Sequence, residues 1–182
     1  MCKTGIFMAD GCEEIEGLTI VDLLRRVNLD IVMISINKTT SVTGSHGITF
    51  EADTTFEEVN FDEFDAVVLP GGIPGTPNLG AHEGVNRIIR EFAKNNKLVS
   101  AICAAPSVLG EAGLLEGKKA TSYPGFEDKL IGASVSTEPV VVDGNIITSR
   151  GMGTAIDFGL AIITYLKDAD TAAELSKKII YR

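Results

Sequence analysis

Cys103 has the position in this chain that most favours covalent chemistry. It follows the apolar run 99–102, typical of a buried strand, and precedes Pro106, which suits the first helical turn because an N–H there has no partner. Ala101 and Ala105 flank it in the small-x-nucleophile-x-small spacing of a sharp strand-to-helix turn. Such a turn exposes the thiol above a helix N-terminus, which lowers the pKa of a thiol. The alternative is a buried, inert cysteine, since free cysteines are among the most buried residues.

Glu16 is the second candidate, because it begins the apolar stripe of a predicted helix. The positions four, seven and eleven residues further on are Ile20, Leu23 and Val27. Burial on that stripe would raise the pKa of Glu16 and favour the neutral acid, which can donate a hydrogen bond. The alternative is a carboxylate stabilised by the helix N-terminus, and this is the interpretation we favour for Glu13 and Glu14.

Gly71 and Gly72 follow the buried strand pattern Ala66–Leu69 and the Pro70 that ends it. Glycines at a strand end allow backbone N–H groups to approach a ligand closely. Together with the N–H of Ala104, they would form an oxyanion hole beside Cys103. The alternative is a plain turn, since a proline and another glycine follow within three residues.

The sequence offers little support for cofactor, metal or Cys–His chemistry. His82 precedes a helix pattern and His46 lies in a predicted edge ribbon, so we expect both histidines at the surface. The chain contains neither a P-loop nor a dinucleotide-binding glycine motif, and no histidine, cysteine and carboxylate cluster has metal-ligand spacing. We therefore expect no cofactor and no metal.

The composition limits which classes of partner this protein can bind and in which cellular compartment it is expected. A length of 182 residues predicts one domain, residues 1–182, and the net charge of −9 argues against nucleic acid or an anionic membrane as the main partner. No run approaches the ~20 apolar residues of a membrane span. Residues 1–5 lead into a strand pattern rather than a signal peptide, and the three cysteines leave one unpaired. These features predict a cytoplasmic protein.

Strand and helix patterns alternate along the chain. Strands are predicted at residues 5–9, 31–36, 66–69, 99–102, 140–142 and 146–147, with an edge ribbon near 48–51. Helices are predicted at residues 15–27, 85–93, 155–166 and 171–180, with a further one after Cys103. This alternation predicts an α/β fold with a mostly parallel sheet and helices on both faces. Ligands of such folds bind beyond the carboxyl ends of the strands, where the candidate residues lie.

Four motifs, in order, resemble the ThiJ/PfpI family, in the branch of the Parkinson-linked protein deglycase and glutathione-independent glyoxalase. They are residues 10–16 (DGCEEIE), 68–72 (VLPGG), 101–106 (AICAAP) and 148–154 (TSRGMGT). The resemblance spans essentially the whole chain and implies a flavodoxin-like three-layer sandwich, of the class I glutamine amidotransferase type, and a homodimer. It also implies that Cys103 is a nucleophile, Glu16 its protonated partner, and Gly72 and Ala104 the oxyanion donors.

Some residues depart from the family pattern. Relatives often carry a histidine where this chain has Tyr123, and the PfpI protease branch places one where Ala104 stands. Both departures weaken a cysteine peptidase interpretation, because no base is positioned to activate a thiol for amide attack. The resemblance also draws attention to Arg150, and to His46, whose position is usually an arginine that reaches the partner subunit's site.

Two functions remain open at this stage. The first is cofactor-free conversion of methylglyoxal or glyoxal to lactate or glycolate, in which Cys103 adds to the aldehyde and Glu16 moves protons; protein deglycation would share the first step. The second is a non-enzymatic role as an oxidative-stress sensor or redox chaperone, through oxidation of Cys103. We expect a small aldehyde or dicarbonyl as the ligand in the first case.

Overall fold

The computed structural model describes residues 2–181, in which a seven-stranded sheet forms the centre of the fold. Its strands are β1 (Lys3–Met8), β2 (Asp30–Ser35), β5 (Thr54–Thr55), β6 (Ala66–Leu69), β7 (Leu98–Ile102), β10 (Val140–Asp143) and β11 (Ile146–Ser149). The spatial order is β10-β11-β7-β6-β1-β2-β5, and every neighbouring pair is parallel except β10 with β11. Two small ribbons pair β3 (Ser41–Thr43) with β4 (Thr49–Glu51), and β8 (Lys119–Ala120) with β9 (Ser134–Val135).

Helices cover both faces of the sheet. They are α1 (Glu14–Arg26), α2 (Gly75–Ala81), α3 (Glu83–Lys94), α4 (Pro106–Glu111), α5 (Ala155–Leu166) and α6 (Ala169–Lys178). Helices α1, α5 and α6 bury one core, which includes Ile20 and Phe158, while α2, α3 and α4 bury the other, which includes Leu79 and Ile89. Successive side chains of the central strands point alternately into the two cores. This arrangement confirms the predicted α/β sandwich.

The main element missing from the sequence prediction is α2, for whose residues no helix was predicted. Its first residue is Gly75 and its third is Pro77. The N–H groups of the first helical turn have no intrahelical partner, so a proline there costs no hydrogen bond. The predicted edge ribbon is the β3–β4 hairpin, which folds over the start of α1.

The described helices do not reach membrane-spanning dimensions. The longest, α1, has 13 residues, and no helix within residues 2–181 combines the length and apolar character needed to cross a bilayer. Met1, where the predicted N-terminal pattern begins, lies outside the described residues.

Candidate active site

Cys103 occupies a tight turn between β7 and α4. Its φ is +66°, in the left-handed region that residues other than glycine rarely adopt. The Cys103 N–H donates to the carbonyl oxygen of Ser149 over 3.0 Å, and the Cys103 carbonyl accepts the N–H of Tyr123 over 2.8 Å. Pro106 is the first residue of α4, as the sequence predicted. These contacts hold the thiol at the carboxyl edge of the sheet.

The two glycines after β6 contact different partners. A Cβ at Gly71 would lie 2.5 Å from the Cβ of Cys103 and 2.7 Å from Oε2 of Glu16, so no larger residue fits there. The Gly71 N–H donates to Oε2 of Glu16 over 2.9 Å. Glu16 thus already accepts the Gly71 N–H, and the oxyanion role that we expected for Gly71 stays a prediction. The N–H groups of Gly72 and Ala104 hydrogen-bond to the Cys103 sulfur instead.

Glu16 lies against the thiol and is almost completely buried, with 1% of its surface exposed. Burial raises its pKa to about 7, although the hydrogen bonds with Cys103 and with the Gly71 N–H favour the charged form. A carboxyl with this pKa exchanges its proton near neutral pH. The apolar stripe of α1 that predicted this burial is present in the structure.

The pKa of the Cys103 thiol is raised, not lowered as we expected. Burial, the charge of Glu16 and the hydrogen bond to Glu16 raise it to about 12, against the opposing effect of the Ala104 and Gly72 N–H groups. The helix effect is small here, because α4 has only six residues and begins three residues after the cysteine. When Glu16 is ionised, Cys103 is therefore a neutral thiol that needs a base.

The other two cysteines also have raised pKa values, of about 11 for Cys2 and about 12 for Cys12, in both cases chiefly through burial. A low pKa therefore does not single out Cys103. Its distinction is its position, half-buried and in contact with Glu16 and two backbone N–H groups.

Glu14 is a buried carboxylate, whereas the sequence predicted only that the helix N-terminus stabilises it. Only 2% of it is exposed. Its Oε1 accepts the N–H of His46 over 2.9 Å and the N–H of Ile48 over 3.4 Å, and its Oε2 lies 3.2 Å from Nδ1 of His46. Burial raises the pKa of Glu14, but its own backbone N–H at the start of the helix, together with the donors of His46 and Ile48, lowers it below its ordinary value. The hairpin partners are more than 30 residues away, so local spacing gave no signal.

His46 contacts carboxylates of its own chain. Within residues 2–181, the ligand atoms of Glu13, Glu14 and His46 lie within 4.8 Å of one another, a grouping that the sequence spacing did not reveal. Both oxygens of Glu14 already accept hydrogen bonds from His46, so a cation bound there would compete with these donors. The contact of His46 with the site of a second subunit stays a prediction.

Tyr123 and Arg150 line a cleft of about 480 Å³ beside the Cys103–Glu16 pair, together with Gly151 and its neighbours. A Cβ at Gly151 would lie 3.2 Å from Cδ2 of Tyr123 and 3.9 Å from Oε1 of Glu16. The Tyr123 side chain is 50% exposed, and Nη1 of Arg150 donates to the carbonyl oxygen of Thr137 over 3.2 Å. The cleft thus begins next to the buried carboxyl.

Known proteins resemble this chain over nearly its whole length. The sequence model of the DJ-1/PfpI family matches residues 3–165. Protein dj-1beta of Drosophila melanogaster is 37% identical over 177 residues, which cover 96% of this chain and 95% of that protein. A protein named as a deglycase in Pyrococcus abyssi is 39% identical over 150 residues, covering 81% and 89% of the two chains.

Other relatives are longer. This chain spans 39% and 45% of the length of DJ-1 homologs B and A of Arabidopsis thaliana, at 37% and 38% identity over 93% and 96% of this chain. Solved structures match the whole fold. Oxidized Toxoplasma gondii DJ-1 has a TM-score of 0.96 at 32% identity, covering 100% of this chain and 99% of that one. Drosophila melanogaster DJ-1beta has a TM-score of 0.93 at 35% identity, with both chains fully covered.

Proposed function

The chain belongs to the DJ-1/PfpI family, and from that premise we propose that it is an enzyme that converts methylglyoxal and glyoxal to lactate and glycolate without a cofactor. The observation that carries the proposal is the contact of the Cys103 thiol with the buried Glu16 carboxyl, while the Gly72 and Ala104 N–H groups face the sulfur. The relative named as a deglycase supports chemistry on carbonyl compounds or their adducts.

In the first step Glu16 acts as the general base. It takes the proton of the Cys103 thiol while the sulfur adds to the aldehyde carbon, and the carbonyl oxygen becomes the oxygen of a hemithioacetal. The Gly72 and Ala104 N–H groups stand beside the sulfur and can stabilise negative charge on that oxygen. A pKa of about 7 suits Glu16 to this task, since general bases work best near the ambient pH.

In the second step Glu16 moves a proton between the two carbons of the substrate. It protonates the oxyanion, which becomes the hydroxyl of the hemithioacetal, and then removes the hydrogen of the former aldehyde carbon, giving an enediolate with its charge on the former ketone oxygen. It returns that proton to the neighbouring carbon, and the hydroxyl proton passes to the former ketone oxygen, which leaves a thioester beside an alcohol. The ketone carbon is thereby reduced to an alcohol and the aldehyde carbon is oxidised to a thioester. The electrons stay within the substrate, so no external oxidant or reductant is needed.

In the last step water hydrolyses the thioester. The carbon–sulfur bond breaks, the 2-hydroxy acid leaves as its carboxylate, and Cys103 regains its proton. The sum is one dicarbonyl and one water converted to one 2-hydroxy acid. The same first addition would begin removal of an early glycation adduct from a protein, which we include in the proposal as a related activity.

Incubation of the pure protein with methylglyoxal, without glutathione, tests this function. We expect lactate to form at a rate proportional to the protein concentration and to fall to background in Cys103→Ser. Cys2→Ser is the matched control, because Cys2 is a half-exposed cysteine outside the site, and it should keep its activity. Lactate formation that persists in Cys103→Ser would refute the mechanism.

A second candidate function is redox sensing by Cys103. The solved structure of a Toxoplasma gondii relative is that of an oxidized form, which supports it. Two peroxide molecules would add two oxygens to the thiol and leave as two waters, and the resulting sulfinate could accept hydrogen bonds from Gly72, Ala104 and a protonated Glu16. Mass spectrometry after peroxide treatment tests it: two added oxygens on Cys103 support sensing, and oxidation spread evenly over the three cysteines opposes it.

We also propose that the protein is a cytoplasmic homodimer in which His46 approaches the partner subunit's site. Its support is the family membership and the position of His46 at the tip of the β3–β4 hairpin, where its side chain is 68% exposed. Sedimentation at micromolar concentration tests the dimer, and a monomer there would also remove any role for His46 in the partner's reaction.

A further inference from the structure

One imidazole, two carboxyls and one hydroxyl meet between the start of α1 and the tip of the β3–β4 hairpin, and the proposed reaction uses none of them. We propose that Glu13, Glu14, Ser45 and His46 form a binding site for a divalent first-row metal ion, for which Zn²⁺ is the best fit. The role of the ion is structural, since it would fasten the hairpin to α1. This inference goes beyond the proposed function and does not depend on it.

The distances between the four candidate ligand atoms suit a tetrahedral metal site. Nδ1 of His46 lies 3.2 Å from Oε2 of Glu14 and 3.3 Å from Oε2 of Glu13. Oγ of Ser45 lies 3.3 Å from the Glu13 oxygen, 3.5 Å from the Glu14 oxygen and 3.1 Å from Nδ1. Ligands bound to Zn²⁺ at ~2.0–2.2 Å in a tetrahedron lie about 3.3–3.6 Å from one another. A slight outward movement of the side chains therefore admits the ion.

Each carboxyl directs one oxygen to the backbone and the other to this cluster. Oε1 of Glu13 accepts the N–H of Ile15, and Oε1 of Glu14 accepts those of the hairpin residues His46 and Ile48. The carboxylates thereby offset the positive end of α1, which by itself would repel a cation. The two Oε2 atoms meet the imidazole and the hydroxyl instead. They can bind an ion while the Oε1 contacts stay in place.

The charge of the cluster also favours a cation. Glu14 is 2% exposed and the Glu13 side chain is 13% exposed, so water solvates neither carboxylate well. Within residues 2–181, neither forms an ion pair with a lysine or an arginine, and His46 is the single basic partner of both. A protonated imidazole balances one of the two negative charges, and a neutral one balances neither. A divalent ion would balance both.

The types of donor select the class of ion. An imidazole nitrogen with carboxylate oxygens is typical of zinc, whereas Mg²⁺ and Ca²⁺ prefer oxygen ligands and need more of them than this cluster offers. Ser45 is the weakest of the four ligands, because its hydroxyl is neutral and a water molecule can replace it. The ion takes the position of any proton on Nδ1 of His46, and that proton is released to solvent.

Backbone hydrogen bonds hold the ligands in place without using the ligand atoms. The Ser45 N–H donates to the carbonyl oxygen of Cys12 over 2.8 Å, and the His46 N–H donates to Oε1 of Glu14 over 2.9 Å. Little further ordering of the chain is needed when the ion binds, so the entropic cost of forming the site is small. The ion would join residues 32 positions apart, and its binding should therefore stabilise the folded protein.

Titration with Zn²⁺, after a chelator has removed metal from the protein, tests the site. We expect saturable binding in calorimetry and a rise in the midpoint of thermal unfolding as zinc is added. His46→Asn should weaken binding by ~10²-fold or more, since loss of a contact to a ligand, rather than of a ligand, already costs about 10–100-fold. Without zinc, His46→Asn should unfold like the wild type at pH 8, so a change in affinity reports the site and not the fold.

Two further variants complete the test of the ligands. Glu13→Gln should also weaken zinc binding strongly, because it removes a charge and keeps a carbonyl oxygen for the Ile15 N–H. His82→Asn is the matched control and should bind zinc like the wild type. His82 is the other histidine of the chain, its side chain caps α3, and asparagine caps helices equally well.

Cys103→Ser separates this site from the thiol, since cysteine is also a zinc ligand. The Cys103→Ser protein should bind one ion per chain, and adding His46→Asn to it should abolish that binding. Zinc binding that is lost in Cys103→Ser and kept in His46→Asn would place the ion at the thiol and overturn the inference. Equal affinity of His46→Asn and wild type, or no binding at micromolar zinc, would overturn it too. The readouts are binding and unfolding, so the result does not depend on turnover of methylglyoxal.

Discussion

Glu14 and Glu16 lie two residues apart in the first turn of α1, and they have opposite acid–base behaviour. Both are almost completely buried, with 2% and 1% of their surfaces exposed. Burial alone would raise the pKa of both. Yet the pKa of Glu14 falls below its ordinary value, and that of Glu16 rises to about 7.

The difference comes from the donors around each carboxyl. The carboxylate of Glu14 is stabilised by its own backbone N–H at the start of α1, and the β3–β4 hairpin adds the N–H groups of His46 and Ile48. Glu16 accepts one backbone N–H, that of Gly71, and otherwise meets the Cys103 sulfur. A buried carboxylate with several N–H donors stays charged, whereas Glu16 has one N–H donor and the thiol, and these do not offset the effect of burial, which favours the protonated form. The first turn of α1 thus carries one carboxylate that stays charged, Glu14, and one that can exchange a proton near neutral pH, Glu16.

The largest expected effect is on turnover. Glu16→Gln keeps an acceptor for the Gly71 N–H but cannot exchange a proton, so methylglyoxal turnover should fall by ~10²-fold or more. Glu16→Asp should also lose activity, because the shorter side chain withdraws the carboxyl from the sulfur. Glu14→Gln is the matched comparison and should retain most of its turnover. Equal losses in Glu14→Gln and Glu16→Gln would mean that both residues act only through the fold.

The second effect is on stability, and its sign should differ between the two carboxyls. The pKa of Glu16 is raised in the folded state, from 4.5 to about 7, so its contribution is present below pH 4.5 and is lost as the pH rises through 7. That loss amounts to about 3 kcal/mol. Urea unfolding should therefore show Glu16→Gln gaining that much over the wild type between pH 4.5 and pH 8.

Glu14→Gln should behave in the opposite way. The pKa of Glu14 is lowered in the folded state, so its contribution is present at neutral pH and is lost in acid. Replacing it should cost about 2 kcal/mol at pH 8, the range of hydrogen bonds to a charged group. A stabilised Glu14→Gln protein at pH 8 would show that the hairpin donors do not offset the burial of this carboxylate.

The sequence predicted the burial of Glu16 and the stabilised charge of Glu14, but it missed the burial of Glu14. The apolar stripe that begins at Glu16 is a local pattern, and it identified the burial of Glu16 correctly. The environment of Glu14 depends on a hairpin whose tip is 32 residues away. The packing of that hairpin is tertiary, so no local periodicity could reveal that Glu14 is buried and hydrogen-bonded.

The fold was more predictable than the acid–base chemistry. Alternating strand and helix patterns gave the sheet and most helices, including α5 with the bounds Ala155–Leu166. The pattern around Cys103 also predicted its turn. The pKa of the thiol was mispredicted, because it depends on the balance between burial, Glu16 and two N–H groups, and only the assembled site sets that balance. The sequence could not show, for the same reason, that the Gly71 N–H donates to Glu16 while the Gly72 N–H faces the Cys103 sulfur.

A smaller effect concerns the close packing of the hairpin on Glu14. A Cβ at Gly44 would lie 2.2 Å from Cδ of Glu14, so Gly44→Ala should be destabilising through this contact. A double-mutant cycle between Gly44→Ala and Glu14→Ala should give a coupling free energy of about 1–2 kcal/mol. Gly47→Ala, in the same turn but with no atom within 4 Å of its Cβ, should not couple to Glu14→Ala. Equal coupling for both glycines would place the strain in the turn itself.

The smallest effect should come from His46→Asn. The pKa of His46 is raised by the hydrogen bond to Glu14 and by the charge of Glu13, so the stability it contributes is present in acid and is lost as the pH rises through its folded-state value. Its side chain is 68% exposed, however, and its backbone N–H to Glu14 survives the substitution. We therefore expect a small loss of stability in urea unfolding at pH 5.5 and none at pH 8. A loss as large as that of Glu14→Gln would mean that the imidazole, and not the backbone N–H groups of the hairpin, keeps Glu14 charged.

Turnover by the same variant adds an independent result: a fall in kcat at unchanged stability would support contact with the partner subunit's site, and unchanged kinetics would confine His46 to its own chain.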